Sequence, residues 1–205
     1  MTLHVDVFFD YLCPYVYRAA LWLDEVERQT GEMAVRWRYF SLAQVNSRAE
    51  GWYLWEQPTV NPEWERHRSA RGLRAFWGAE AARRQGEETF RRFHMALLRA
   101  YHEERLSLDN DEAVRAAAER AGLDVARWEE ERRDPALLEA LRADHTEARE
   151  QWEIFGTPTF LFPGSRPAYL KLDNVVSAHE AVPYWETFVR VVAQQPLFLE
   201  IKRPH

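Results

Sequence analysis

The chain has 205 residues, 27 Lys+Arg against 33 Asp+Glu, and a formal net charge of -6. Its length fits one domain, or one domain carrying a large insertion, and its 46% hydrophobic content belongs to a globular protein rather than a disordered one. The acidic balance argues against general nucleic-acid binding and against an anionic membrane surface as partner, since both need a positive field.

The opening MTLHVDVFF has no basic lead and no small-residue cleavage site, so no secretory leader is expected. No apolar run approaches the roughly 18 residues of a membrane span. The expectation is a soluble, cytoplasmic protein. Leu3 to Phe9 puts Leu3, Val5, Val7 and Phe9 on one face, with Phe8 apolar on the other, which predicts a strand covered on both sides. Asp10 to Pro14 breaks it. A helix follows from about Pro14 to Gln29, with an apolar stripe of Ala19, Ala20, Trp22, Leu23 and Val26, and Thr30-Gly31 stops it. Val35 to Phe40 alternates as a second strand, completing a βαβ unit.

Ser41 to Pro62 reads as a long irregular loop carrying Trp52, Tyr53 and Trp55, and long loops are often functional. From Glu63 to Trp152 only helical patterns occur. Glu63 to Gln85 is the first helix and Glu87 to His102 the second. Asp109-Asn110-Asp111 caps a third that runs to Ala121, with Gly122 behind it. Asp124 to Arg132 is short, and Pro135 opens a last long helix. Strand signals return at Thr159 to Phe162. Pro163-Gly164-Ser165-Arg166-Pro167 is turn chemistry, Ala168 to Leu172 completes a hairpin, and Ala178 to Gln195 is a final amphipathic helix. The predicted fold class is α/β: residues 1–60 and 153–205 form one unit, and residues 61–152 form a helical insertion.

Chemistry concentrates at two places. The single cysteine lies in Cys13-Pro14-Tyr15-Val16, where the first strand passes into the first helix. One cysteine excludes an internal disulfide framework, a thiolate-rich zinc site and an intramolecular dithiol cycle. A sulfur at a helix start faces free backbone N–H groups and the positive end of the helix dipole, both of which favour the nucleophilic thiolate. The competing reading is a small buried apolar residue. Pro14 suits the first helical turn, where its missing N–H is not needed. Gly156-Thr157-Pro158-Thr159 sets an X-Pro bond ahead of a strand, the kind of turn in which cis proline occurs; the plain alternative is an ordinary proline at a strand start. A cis bond would leave the backbone of Thr157 free to pair with an extended peptide or a thiol-bearing ligand lying over Cys13. Asp10 and Arg18 flank the cysteine: Arg18 would support a thiolate and Asp10 oppose it, and each also fits a solvated or capping charge. The seven histidines form no i,i+4 pair and no ligand cluster, so no metal is expected. The nine tryptophans fit core filling, or an aromatic-lined cleft.

Taken together, a strand–CPxx–helix junction, a βαβ unit, an all-helical insert and a late GTPT before a hairpin resemble the thioredoxin superfamily. The inserted helices are similar to those of its DsbA branch, in particular the intracellular FrnE-like proteins. Phe9-Asp10-Tyr11-Leu12-Cys13-Pro14-Tyr15 matches that branch, as do Glu87 to Tyr101 and Leu108 to Asp124. The resemblance implies a thioredoxin-like fold with an inserted helical domain. It implies Cys13 as nucleophile with Pro14 beside it, Pro158 as the cis proline, and Tyr15, Val16 and Thr157 as substrate-binding positions. The family's motif is CxxC, and here Val16 stands at the second cysteine position, so a mixed disulfide on Cys13 has no internal thiol to release it. The implied function is a monothiol oxidoreductase acting on a thiol or disulfide substrate, peptide or small molecule. No covalently bound cofactor is implied; a low-molecular-weight thiol such as glutathione would take part. Asp10 to Tyr17 also resembles the 2-hydroxychromene-2-carboxylate isomerases, themselves similar to kappa-class glutathione transferases, and the loop at Trp52 to Trp55 suits an aromatic substrate there. A thiol-dependent isomerase or transferase is therefore the second reading. A redox-inactive peptide-binding module using the Pro158 surface is the third. Exposed aromatics could serve a homodimer.

Overall fold

The structure, a computed structural model, describes residues 2–67, 70–194 and 199. Strand β1 (Leu3–Phe9) leads into helix α1 (Pro14–Thr30) and strand β2 (Met33–Tyr39). β1 and β2 run parallel, in register from Leu3 with Met33 to Phe9 with Tyr39. The strand therefore begins before Val35, because the Leu3 N–H already reaches the Glu32 carbonyl at 2.7 Å. Gly31 ends α1 in the left-handed region, at φ 64°, and its N–H returns to the Glu27 carbonyl. Strand β3 (Thr159–Leu161) joins the free edge of β1 antiparallel, and β4 (Ala168–Tyr169) completes the sheet in the order β2-β1-β3-β4. β4 is shorter than the hairpin predicted to Leu172. Beyond Tyr169 the Leu170 N–H still reaches the Pro158 carbonyl, but the Leu172 carbonyl is taken by Arg18.

Central placement of β1 explains its double apolar character. Val5, Val7 and Phe9 join the main apolar cluster with Ala19, Trp22 and Leu23 of α1. Phe8 points the other way and packs with Phe40, Ala148 and Ile154.

Between β2 and β3 the chain is helical. The segment predicted as an irregular loop contains α2 (Leu42–Asn46), a 3-10 turn at Leu54–Glu56 and α3 (Gln57–Val60). Its compactness comes from Gln44, whose side chain donates to the Trp52 carbonyl and accepts from the Leu54 N–H. The helix predicted from Glu63 to Gln85 is not continuous. A 3-10 turn covers Trp64–Arg66, Gly72 sits at φ 80°, and α4 (Leu73–Arg83) begins after it. A residue in the left-handed region cannot lie inside a right-handed helix. The following helices are α5 (Glu87–His102), α6 (Asp111–Arg120) and α7 (Val125–Glu131). Asn110 and Asp124 cap α6 and α7 through their side chains. Pro135–Leu137 forms a 3-10 turn, so the long helix α8 starts only at Leu138 and runs to Glu150. Helix α9 (Ala178–Val189) passes into a π turn at Arg190–Gln194; Gln195, its predicted end, lies outside the described residues. Among the described residues no helix is long and apolar enough to cross a membrane.

Two polar ties fix the layers. The Trp22 indole N–H donates to the Ala181 carbonyl at 2.8 Å, locking α1 to α9. On the opposite face Arg38 of β2, only 5% exposed, binds Asp6, Asp144 and Glu147 at 3.0, 2.5 and 2.7 Å. Three carboxylates make the buried guanidinium tolerable, and two of them belong to α8.

His94 of α5 is buried between Phe9 and Trp37, with ring centroids 4.6 and 4.3 Å away. Its Nδ1 lies 3.2 Å from the Tyr11 hydroxyl. Burial, then the Arg83 and Arg91 charges, pushes its pKa from 6.5 down to about 3. The unfolded chain protonates this ring near 6.5 and the folded chain does not, so its contribution to stability is complete above that pH and is lost as pH falls toward 3. Between pH 7 and pH 4, His94 should account for a loss of roughly 2–3 kcal/mol. Urea melts of the native protein and of His94→Phe at these two pH values measure it. The variant should lose less stability on acidification, and an equal loss contradicts the assignment.

Candidate active site

The end of β1 and the start of α1 form a tight turn. The Cys13 N–H donates to the Asp10 carbonyl oxygen at 3.1 Å, and the Asp10 carboxylate accepts from the N–H groups of Leu12 at 2.8 Å and Leu42 at 2.7 Å. Asp10 is buried, and burial pushes its carboxyl pKa up to about 6 against the lowering effect of those N–H groups and of Arg71. It is neither a solvated charge nor a cap of α1; it stitches the turn to the start of α2. Cys13 occupies the cap position of α1 with extended backbone, and its carbonyl receives the N–H groups of Val16 and Tyr17. Pro14 fills the first helical position, as its fixed φ and missing donor favour.

From the other side of the sheet comes the turn before β3. The Thr157–Pro158 peptide is cis. The Cys13 thiol donates to the Thr157 carbonyl at 3.2 Å, joining residues 144 positions apart. The Thr159 hydroxyl donates to the Gly156 carbonyl at 2.8 Å and holds this turn. A side chain at Gly156 would meet the Tyr169 ring at 3.1 Å, so glycine lets the hairpin close over the turn. The Thr157 hydroxyl is buried and has no partner among the described residues.

The predicted site residues are thus brought together, but they are not equivalent. Cys13 is 5% exposed at the bottom of the surface, Pro14 is exposed and Tyr15 is half-buried. Val16 is 0% exposed and belongs to the apolar core, so it lies beneath the site rather than on its surface. Arg18 is tied down by its bond to the Leu172 carbonyl at 2.7 Å, with its guanidinium 5.5 Å from the Tyr15 ring centre. The Trp52–Trp55 segment packs instead toward α8: Trp55 lies 5.5 Å from the His145 ring and stacks on Tyr53 at 5.6 Å.

Three neighbours escaped the sequence reading. Lys171 is exposed, with its ammonium 5.1 Å from the Tyr15 ring centre and 5.6 Å from that of Tyr169. Phe155, 64% exposed, meets Tyr169 edge-on at 5.0 Å. All three flank the turn at Pro158. The signal available was the hairpin itself: whatever follows Ala168 must lie beside the strand that Pro158 opens.

Residues 4–179 match the family model described as DSBA-like thioredoxin domain. The uncharacterized protein Rv2286c of Mycobacterium tuberculosis is 27% identical over 196 residues, covering 88% of this chain and 78% of its own. Among solved structures, the "probable DsbA oxidoreductase" SCO1869 of Streptomyces coelicolor superposes with a TM-score of 0.64 at 17% identity, covering 98% of this chain and 94% of that one. A 2-hydroxychromene-2-carboxylate isomerase superposes with a TM-score of 0.62 at 17% identity, covering 92% of this chain and 96% of that one. At such identities the likeness is one of fold.

Because Val16 follows Cys13 by one helical turn, Val16→Cys should bring a second thiol to the same face. Under mild oxidation the variant should lose both free thiols to an internal disulfide, at a packing cost of about 1 kcal/mol. The disulfide should be absent when Cys13→Ser is added. Two persistently free thiols in thiol titration contradict the placement of Cys13 at the start of α1.

Proposed function

We propose that this chain, which belongs to the DSBA-like thioredoxin domain family, is a monothiol exchange enzyme that forms a mixed disulfide between Cys13 and a small thiol such as glutathione. The observation that carries this reading is the thiol of Cys13, 3.2 Å from the Thr157 carbonyl at the start of α1, with a buried valine where a resolving thiol would stand. The Cys13 thiolate attacks one sulfur of a disulfide substrate. A new S–S bond forms to Cys13, the old one breaks, and the departing half leaves as a thiolate with the electron pair. A second molecule of small thiol then attacks the mixed disulfide, regenerating Cys13 and releasing a disulfide. A protein with one unpaired thiol suits a reducing compartment, so the cytoplasm is the location in this reading.

A second reading has support of its own. The aromatic side chains of Tyr15, two residues after Cys13, and of Tyr169 and Phe155, which flank the Pro158 turn, suit an unsaturated or aromatic substrate, and the fold is shared with an isomerase. In that case Cys13 positions a small thiol and exchanges no sulfur.

Intact-mass measurement after incubation with glutathione disulfide separates the two. Exchange predicts one added glutathionyl group, removed by dithiothreitol and absent in Cys13→Ser. Insulin reduction without added small thiol should stay at background. No adduct overturns exchange and leaves the isomerase reading. Steady insulin reduction by the protein alone overturns the monothiol reading.

A further inference from the structure

Two cations flank the Tyr15 ring beside Cys13. The chain has a net charge of -6. Yet the Tyr15 ring beside the cysteine has two cations within reach, Arg18 at 5.5 Å on one hand and Lys171 at 5.1 Å on the other. The Asp10 carboxylate, close in sequence, is buried and bonded to the backbone N–H groups of Leu12 and Leu42, and it pairs with neither cation. Lys171 is exposed and makes no ion pair among the described residues; aromatic rings bracket it instead. An ammonium over aromatic faces gains modestly from the ring quadrupoles and remains free to meet an anion. The Tyr169 phenol, then the Tyr15 phenol and the Cys13 sulfur, hold Lys171 above its ordinary value, so it is charged throughout the neutral range.

We infer that Lys171, seconded by Arg18, is a specificity-determining residue that directs anionic small disulfides onto Cys13. The inference rests on the exchange reading above and names its substrate class: a small disulfide carrying carboxylates, with apolar or aromatic atoms that can lie against Tyr15 and Tyr169. The carboxylate meets the Lys171 ammonium while the disulfide lies over Cys13, against the Thr157 turn and in place of the thiol's bond to the Thr157 carbonyl. In the reaction Cys13 is oxidised to a mixed disulfide, one half of the substrate departs reduced as a thiolate, and the thiol proton passes to solvent. An acidic peptide would share the charge but must also pass the crowded turn at Pro158, where even a Cβ on Gly156 would meet the Tyr169 ring at 3.1 Å.

Two aromatic disulfides of similar size test this, the dianion 5,5′-dithiobis(2-nitrobenzoate) and the neutral 2,2′-dithiodipyridine. Rates of reaction with the one cysteine are read by stopped flow in the native protein, Lys171→Met, Lys171→Glu and Lys171→Arg. A charge a few ångströms from a partly exposed anion predicts that the dianion-to-neutral rate ratio falls about five- to tenfold in Lys171→Met. It should fall further in Lys171→Glu and recover in Lys171→Arg. Salt at about 1 M, where the screening length is about 3 Å, should bring the native ratio down to that of Lys171→Met. A ratio that changes less than about twofold in both Lys171→Met and Lys171→Glu overturns the inference while leaving Cys13 exchange intact. Failure of Cys13 to react with either probe overturns both. A saturating preference for the disulfide of a longer acidic peptide over glutathione disulfide also overturns it, since it assigns the surface to extended peptides.

Discussion

The contact between the Cys13 thiol and the Thr157 carbonyl is where the fold and its chemistry meet, and it depends on the central position of β1. Phe8 of β1 pairs with Thr159 of β3, so the C-terminal end of one strand lies beside the N-terminal end of the other. A few residues of overshoot on one side and of approach on the other then suffice to bring residues 13 and 157 together. The parallel partner β2 demands a helical crossover, and α1 is that crossover. Its first turn must start at the same end of the sheet, which is why Cys13 and the Thr157–Pro158 turn share one edge. Extended chain at Cys13, helix from Pro14 and the turn at Gly156 are local consequences of that arrangement.

Behind the surface lies a layer of buried polar groups, each tied to a specific partner. Asp10 holds the turn to α2, Arg38 holds β2 to α8, and His94 supports Tyr11 from α5. The Arg38 and His94 ties reach the inserted helices, and the main apolar cluster does the same, taking in Phe76, Phe90 and Phe93 together with Val7 and Phe9. The cysteine turn is therefore braced from both sides. A buried polar group costs free energy when its partner is lost, so these side chains set geometry as much as stability. By contrast, Lys171 and Phe155 are exposed and free to adapt, the division expected when a rigid scaffold presents an adjustable rim.

Strand β1 and helices α1, α5, α6 and α7 were legible because period, cap and stop agree: Gly31 after α1, Asn110 before α6, Asp124 before α7. The stretch from Glu63 to Gln85 misled because its residues are good helix formers on average, while a single backbone requirement at Gly72, whose N–H is held by Asp109, breaks the helix. Long-range acceptance decided β4, since nothing in Leu170 to Leu172 announces that Arg18 will claim a carbonyl there. Cys13, Pro14, Thr157 and Pro158 were readable from local chemistry and resemblance. Lys171 was not, because its meaning depends on which strand lies next to the Pro158 turn. His94 could have been found: it falls on the face of α5 that carries Phe90, Phe93 and Leu97, where a polar residue must find a partner.

The central claim is that Cys13 works alone, exchanging with a small disulfide seated against the Thr157 turn. A crystal structure of the protein after incubation with glutathione disulfide tests it most directly. The account predicts continuous density from the Cys13 sulfur into one glutathionyl group, with its backbone against Thr157 and a carboxylate toward Lys171. A free Cys13 thiol still bonded to the Thr157 carbonyl, at full occupancy under the same conditions, contradicts it.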